Sequence, residues 1–236
     1  MKQLVACGLV ALLGSAQAAT LYSNGPVVDG SGLSILAPTD STLGAGSNAS
    51  ATLADNFSIA GTSWNVESLD FFGYQTGSTA FTFTGVTWSI RSGTDVNTAT
   101  VLASGTSAVT DGGLVGYRVT TTTLTNTQRP IFRINADIPD LLLPAGNYFV
   151  TWALAGSGVS GPFVPPVLGS VGTGNSLQSL SGAAFTTLSD GLSLLPFDVP
   201  FSINGTAAAV PEPGTLALWL AGAVAVVGVS RRRRAA

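Results

Sequence analysis

Apolar and polar residues alternate with period two through the middle of this chain. Val86, Trp88 and Ile90 alternate with Thr87, Ser89 and Arg91, and Tyr148, Val150, Trp152 and Leu154 share one parity around Thr151 and Ala153. Phe132, Ile134, Ala136 and Ile138 repeat the pattern, and Phe197, Val199, Phe201 and Ile203 alternate with Asp198, Pro200, Ser202 and Asn204. A two-residue period sends successive side chains to opposite faces of a strand, so each run predicts a strand with one buried face. Weaker runs cover 53–59, 66–74, 81–84, 100–109 and 117–124. Asp111-Gly112-Gly113, Pro144-Ala145-Gly146-Asn147 and Asn204-Gly205 carry turn chemistry and predict turns between strands. No internal repeat and no helical period is present between the ends. The pattern predicts an all-β ectodomain over 19–206, an antiparallel β-sandwich of jelly-roll-like or immunoglobulin-like type. Pro200 cannot donate to a ladder and predicts an edge position for its strand. Gly156 to Asn175 holds Pro162, Pro165 and Pro166 and predicts a long loop, functional or mobile.

The two ends break this pattern. Lys2 precedes an apolar run from Leu4 to Leu13, too short to span a membrane, and Ala16-Gln17-Ala18 follows. This order predicts a signal peptide over 1–18, cut by signal peptidase between Ala18 and Ala19. Leu4-Val5-Ala6-Cys7 has the look of a lipobox, but only six residues precede Cys7. Cys7 therefore reads as a small hydrophobe of the signal peptide. After a short linker, 207–210, the chain runs Pro211-Glu212-Pro213, then Gly214 to Val229 without a charge, then Arg231 to Arg234. Sixteen residues of helix reach about 24 Å, somewhat short of a ~30 Å hydrocarbon core, and arginine stems can snorkel across the difference. Arg231, Arg232, Arg233 and Arg234 directly after the span predict a cytoplasmic anchor, with everything before Pro211 outside.

This three-part tail over 211–236 closely resembles the PEP-CTERM sorting signal of Gram-negative bacteria. The motif residues are Pro211, Glu212 and Pro213, followed by Thr215-Leu216-Ala217-Leu218 and the arginine cluster. The resemblance implies recognition and cleavage near the motif by an exosortase-like protease of the inner membrane. It further implies passage to the cell surface or into an exopolysaccharide matrix, as in biofilms. Two prolines hold the motif extended, in a form a protease can grip. The middle also resembles ectodomains found ahead of such tails, through Ala54-Asp55-Asn56-Phe57, Trp64 with Val66, Trp88-Ser89-Ile90 and Leu143-Pro144-Ala145-Gly146-Asn147-Tyr148. That resemblance implies a β-sandwich and assigns no activity.

Composition narrows the chemistry. The 236 residues are 45% hydrophobic and only 9% charged, and they include no histidine and one cysteine, Cys7. A Ser-His-Asp triad is excluded, as are disulfides and thiolate metal sites in the mature part. Between Ala19 and Val210 the cations are Arg91, Arg118, Arg129 and Arg133 against eleven carboxylates, a net of 4 − 11 = −7. Such a surface is a poor nucleic-acid binder. Among carboxylate pairs, Asp137 and Asp140 stand closest at an expected strand end, where turn capping explains them better than catalysis. No cofactor is expected. Calcium is the one metal for which ligands are at hand, Asp95 with Asn97 or Asp29 with loop carbonyls, without EF-hand spacing. Trp88 and Trp152 lie in phase with core residues, which leaves Trp64 as the candidate glycan contact. The leading expectation is a non-enzymatic surface or matrix component that meets polysaccharide or neighbouring proteins. The alternatives are a carbohydrate-active enzyme using carboxylates alone and an adhesin that stays uncleaved in the membrane.

Overall fold

The computed structural model describes residues 18–208. The signal-peptide residues before Ala18, the motif Pro211 to Pro213, the span 214–229 and Arg231 to Arg234 lie outside the described residues. Fourteen strands and no helix make up the described part. They form two six-stranded sheets and one two-stranded sheet.

The first sheet contains β1 (Ala19–Ser23), β2 (Leu33–Leu36), β5 (Trp64–Gly73), β8 (Val109–Thr120), β9 (Pro130–Leu143) and β14 (Phe201–Ala207). Their order is β1-β14-β5-β9-β8-β2, antiparallel throughout except for the parallel pair β2 and β8. The second sheet contains β4 (Ala51–Ile59), β6 (Phe83–Ser92), β7 (Thr100–Ser107), β10 (Gly146–Gly156), β12 (Leu177–Leu180) and β13 (Thr186–Thr187), in the order β13-β12-β4-β10-β6-β7. The expected run 100–109 is divided at Ala108, where the chain leaves the second sheet and enters the first.

The inner parities of both sheets meet in one core. Leu69, Phe71, Ile134, Ala136, Phe201 and Ile203 from the first sheet pack with Leu53, Phe57, Trp88, Ile90, Val150 and Trp152 from the second. Trp152 is fully buried, with Phe71 at 5.2 Å and Phe201 at 5.8 Å between ring centroids. Rings of this size, closely packed, supply much of the burial that holds two sheets face to face.

Three turn and edge expectations are corrected. Asp111-Gly112-Gly113 is a bulge inside β8: Asp111 pairs with Ile134 and Leu114 with Phe132, so both glycines face the single residue Arg133. Gly113, at φ 102°, supplies the backbone that such a bulge requires, and its N–H donates to the Asp111 carboxylate. Asn204-Gly205 lies within β14, opposite a bulge at Glu67, and a Cβ on Gly205 would collide with the Asn65 carbonyl oxygen. Pro200 precedes β14, and that strand is interior, paired with β1 on one side and β5 on the other. Proline therefore stands just before the ladder rather than on an edge.

The Pro-rich segment is also not a free loop. Within it β11 (Phe163–Val164) pairs with β3 (Ala45–Gly46), and Phe163 exchanges backbone hydrogen bonds with Tyr74 at 2.9 and 3.0 Å. Val164 and Val167 are buried. The Pro144 to Asn147 turn stands as expected between β9 and β10. At the C-terminal end, Ala207 still belongs to β14 and the Ala208 N–H donates to the Ser63 carbonyl at 2.8 Å, so the domain reaches into the expected linker.

Candidate functional site

Alternation in β4 puts Leu53, Asp55, Phe57 and Ile59 on one parity, so a carboxylate stands where an apolar side chain is expected. Asp55 is 3% exposed. One oxygen accepts from the Asn56 N–H at 2.7 Å; the other accepts from Asn24 Nδ2 at 2.9 Å and Ser176 Oγ at 2.7 Å. These partners carry the contact onward. Ser176 Oγ accepts from the Val199 N–H, and Asn24 bonds the Val199 carbonyl and the Phe201 N–H. Asp198 accepts from the N–H groups of Asn175 and Ser176. Burial pushes the Asp55 carboxyl up to about 7, opposed by the Ser176 bond and assisted by the Asp198 charge. Burial first, then the same two carboxylates, raise the Tyr22 phenol above its ordinary value.

A near-neutral carboxyl beside a second carboxylate is the raw material of acid–base chemistry. Here both Asp55 oxygens are occupied by protein donors. The nearby cleft of about 330 Å³ is lined by Tyr22, Asn56, Asn147 and Tyr148 among others, and Asp55 and Asp198 do not line it. What the arrangement does in the fold is plain: it ties β4 and the approach to β12, in the second sheet, to β1 and β14 of the first.

A second buried carboxylate has the opposite character. Asp190, also 3% exposed, accepts from the N–H groups of Ser41, Thr42, Leu192 and Ser193 at 2.6–3.2 Å and from Ser193 Oγ at 3.1 Å. Burial alone would raise its pKa, but those N–H donors overcome it and hold the carboxyl far below its usual range. Arg118 anchors the same loop from the other side, donating to the carbonyls of Leu43 at 2.5 Å and Thr42 at 3.0 Å and to Ser34 Oγ at 3.1 Å. Its burial lowers the guanidinium to about 10.

The residues singled out from sequence do not converge. Asp137 and Asp140 are exposed and flank the bulge where β9 passes Glu67, in mid-strand rather than at a strand end. Asp95 caps its own turn through the Asn97 N–H, and the Asn97 amide clasps the Phe185 backbone in both directions. Asp29 accepts from the N–H groups of Ser31 and Leu33. Among the described residues no three of His, Cys, Asp and Glu gather as a metal set would. Trp64 is the least buried of the three tryptophans described, but its ring packs parallel to Phe57 with centroids 6.4 Å apart. Ala19 opens β1.

Sequence reasoning did not single out Asp55, although an acid in phase with Leu53 and Phe57 was the signal that could have found it. Asp190 had no such signal, since its donors Ser41 and Thr42 lie 149 and 148 residues away in sequence. No curated protein and no solved structure matches the chain. Residues 209–234 match the family model of the PEP-CTERM protein-sorting motif. The chain thus carries, at 209–234, a PEP-CTERM sorting motif, which implies export with a C-terminal membrane-anchoring signal addressed to an exosortase.

Proposed function

We propose that the chain, freed of its signal peptide and cut near Pro211 to Pro213, serves as a non-enzymatic component of the cell surface or of an extracellular polysaccharide matrix. The observation that carries this reading is the sorting-motif match at 209–234, which follows in sequence a domain whose Ala208 is still hydrogen-bonded to Ser63. A signal placed there would deliver the sandwich to the outside. The non-enzymatic part is supported by how the carboxylates are used. Asp55 and Asp198 hold loops together, while Asp137 and Asp140 stand apart on the surface of β9. A matrix component needs a stable body with a polar exterior, and a two-sheet core with a low-charge, hydroxyl-rich surface meets that need.

The test is the intact mass of the protein recovered from outside the cell, with both termini mapped. A species beginning at Ala19 and ending near Pro213 is expected. Recovery only in the membrane fraction, with Arg231 to Arg234 retained, would replace this reading with that of an uncleaved adhesin.

A further inference from the structure

The outer face of the first sheet carries a connected row of polar side chains. Leu69, Phe71, Ile134, Ala136 and Ile203 point into the core, so Asp70, Asn135 and Asn204 point the other way. Thr20 Oγ1 donates to Asn204 Oδ1 at 2.9 Å, Asn204 Nδ2 donates to Asp70 at 3.1 Å, and Asn135 Nδ2 donates to the second Asp70 oxygen at 2.8 Å. Asp70, 6% exposed, is therefore fixed from both sides and fixes two amides in turn. The row crosses β1, β14, β5 and β9 and ends at the β8 bulge. Four inter-strand steps of about 4.8 Å make it about 19 Å long. It floors an open groove of about 470 Å³.

Arg133 lies in this groove with its donors unspent. Its guanidinium sits over the Phe72 ring, 5.9 Å from the centroid, and makes no protein hydrogen bond among the described residues. Gly112 makes room for it: a Cβ there would stand 2.8 Å from Arg133 Cγ and 2.9 Å from Cδ. The bulge thus opens a slot that an ordinary strand residue would close. Arg118 and Arg91, by contrast, spend their donors on protein oxygens.

We propose that this groove binds a neutral, hydroxyl-rich glycan chain, with Arg133 and Asn135 as direct contacts and Asp70 as the positioning residue. The choice of ligand rests on the surface-or-matrix reading; the site itself rests on the geometry. Guanidinium donors beside a fixed amide oxygen suit vicinal hydroxyls, which accept and donate at once. Charge selects the neutral class. Asp70 lies in the groove, Asp137 shares its face two residues from Asn135, and the exported part carries a net of 4 − 11 = −7. Arg133 and the Ala19 ammonium that cleavage would leave at the groove's edge, two cations in all, do not offset that field for a polyanion.

The experiment is titration calorimetry of the processed protein with hexasaccharides of glucose, mannose and galactose, and with a hexagalacturonate as the acidic arm. At least one neutral hexamer is expected to bind, with affinity lowered tenfold or more by Arg133→Ala and severalfold by Asn135→Ala. Gly112→Ala, which displaces Arg133 without removing it, is expected to weaken binding as well. Trp64→Ala is expected to leave it unchanged, and thermal melts confirm that each variant is folded. Binding of no neutral hexamer, binding of the acidic hexamer alone, or loss in Trp64→Ala but not in Arg133→Ala would each overturn the groove proposal. None of these outcomes moves the mapped termini, so failure here and failure of the sorting reading are told apart.

Discussion

Asp55 and Asp190 have the same solvent exposure, 3% each, but Asp55 lies far deeper among protein atoms, and their environments drive their charges in opposite directions. Four backbone N–H groups converge on Asp190, and it keeps its charge below the usual carboxylate range. One backbone N–H, one amide and one hydroxyl meet Asp55, with the Asp198 charge nearby, and its pKa rises to about 7. Burial by itself disfavours both ions. Depth and donors together decide which is compensated: Asp55 is the more desolvated, and fixed N–H dipoles stabilise the Asp190 carboxylate without a reorganisation cost. Asp190 is a charge the fold was built around; Asp55 is a polar knot in which the charge is dispensable.

The largest consequence is at Asp190. Asp190→Ala removes the shared acceptor of four backbone N–H groups, and two loops lose their common anchor. A loss of about 4–5 kcal/mol is expected, roughly 10–15 °C in Tm for a domain of this size. Asp55→Asn keeps an acceptor for the Asn56 N–H and removes the charge, so a change within about 1 kcal/mol at pH 8 is expected. Chemical denaturation of both variants checks the contrast. Equal losses would show that burial, not the donor set, governs these sites.

The pH dependence sharpens the same contrast. Folded Asp55 holds its proton up to about pH 7, against an ordinary carboxyl value of 3.8 in the unfolded chain. Over that window the folded state binds more protons, so stability is highest at the acidic end and falls as pH rises towards 7, then levels. Three units set an upper bound of about 4 kcal/mol, and relaxation around the ion leaves an expected loss of about 2–3 kcal/mol. Asp190 contributes with the opposite sign: its stabilisation is present above its unfolded pKa and is lost as pH falls towards its depressed folded value. Melts from pH 4.5 to 8 are expected to decline in the parent and to stay nearly flat in Asp55→Asn. A parallel decline in both would assign the slope to other groups.

The same two sites show what the sequence could and could not disclose. Period two placed β6, β9 and β10 and named their core parity correctly, since one buried face leaves its mark on every second residue. The pattern held a signal for Asp55 that was not read, its phase with Leu53 and Phe57. Glycine-containing turn signals misled in two places, because a bulge and a tight turn need the same left-handed or side-chain-free backbone, and only the partner strand tells them apart. Strand order, the Asp190 nest and the row from Thr20 to Asn135 depend on contacts between distant segments, and no local pattern encodes those. The sorting tail was the most legible part, because its parts are contiguous and each answers to a single physical demand.

A finer test addresses the hydrogen bonds of the knot. Ser176 Oγ both donates to Asp55 and accepts from the Val199 N–H, so Ser176→Ala leaves two buried groups unpaired at once. A loss of about 1–2 kcal/mol is expected, with the Asp55 pKa rising further, because the Ser176 bond opposes the effect of burial. The smallest effect isolates the through-space part. Asp198→Asn keeps an oxygen for the Asn175 and Ser176 N–H groups but removes the charge that helps raise Asp55. The Asp55 pKa is then expected to drop by a fraction of a unit, with little change in Tm at pH 5, where Asp55 is protonated in either protein. Carboxyl carbon shifts followed by NMR through the titration give the result directly. If the pKa of Asp55 stays where it was, burial and the hydrogen bonds set it without the Asp198 charge, and the contrast with Asp190 reduces to depth and donors.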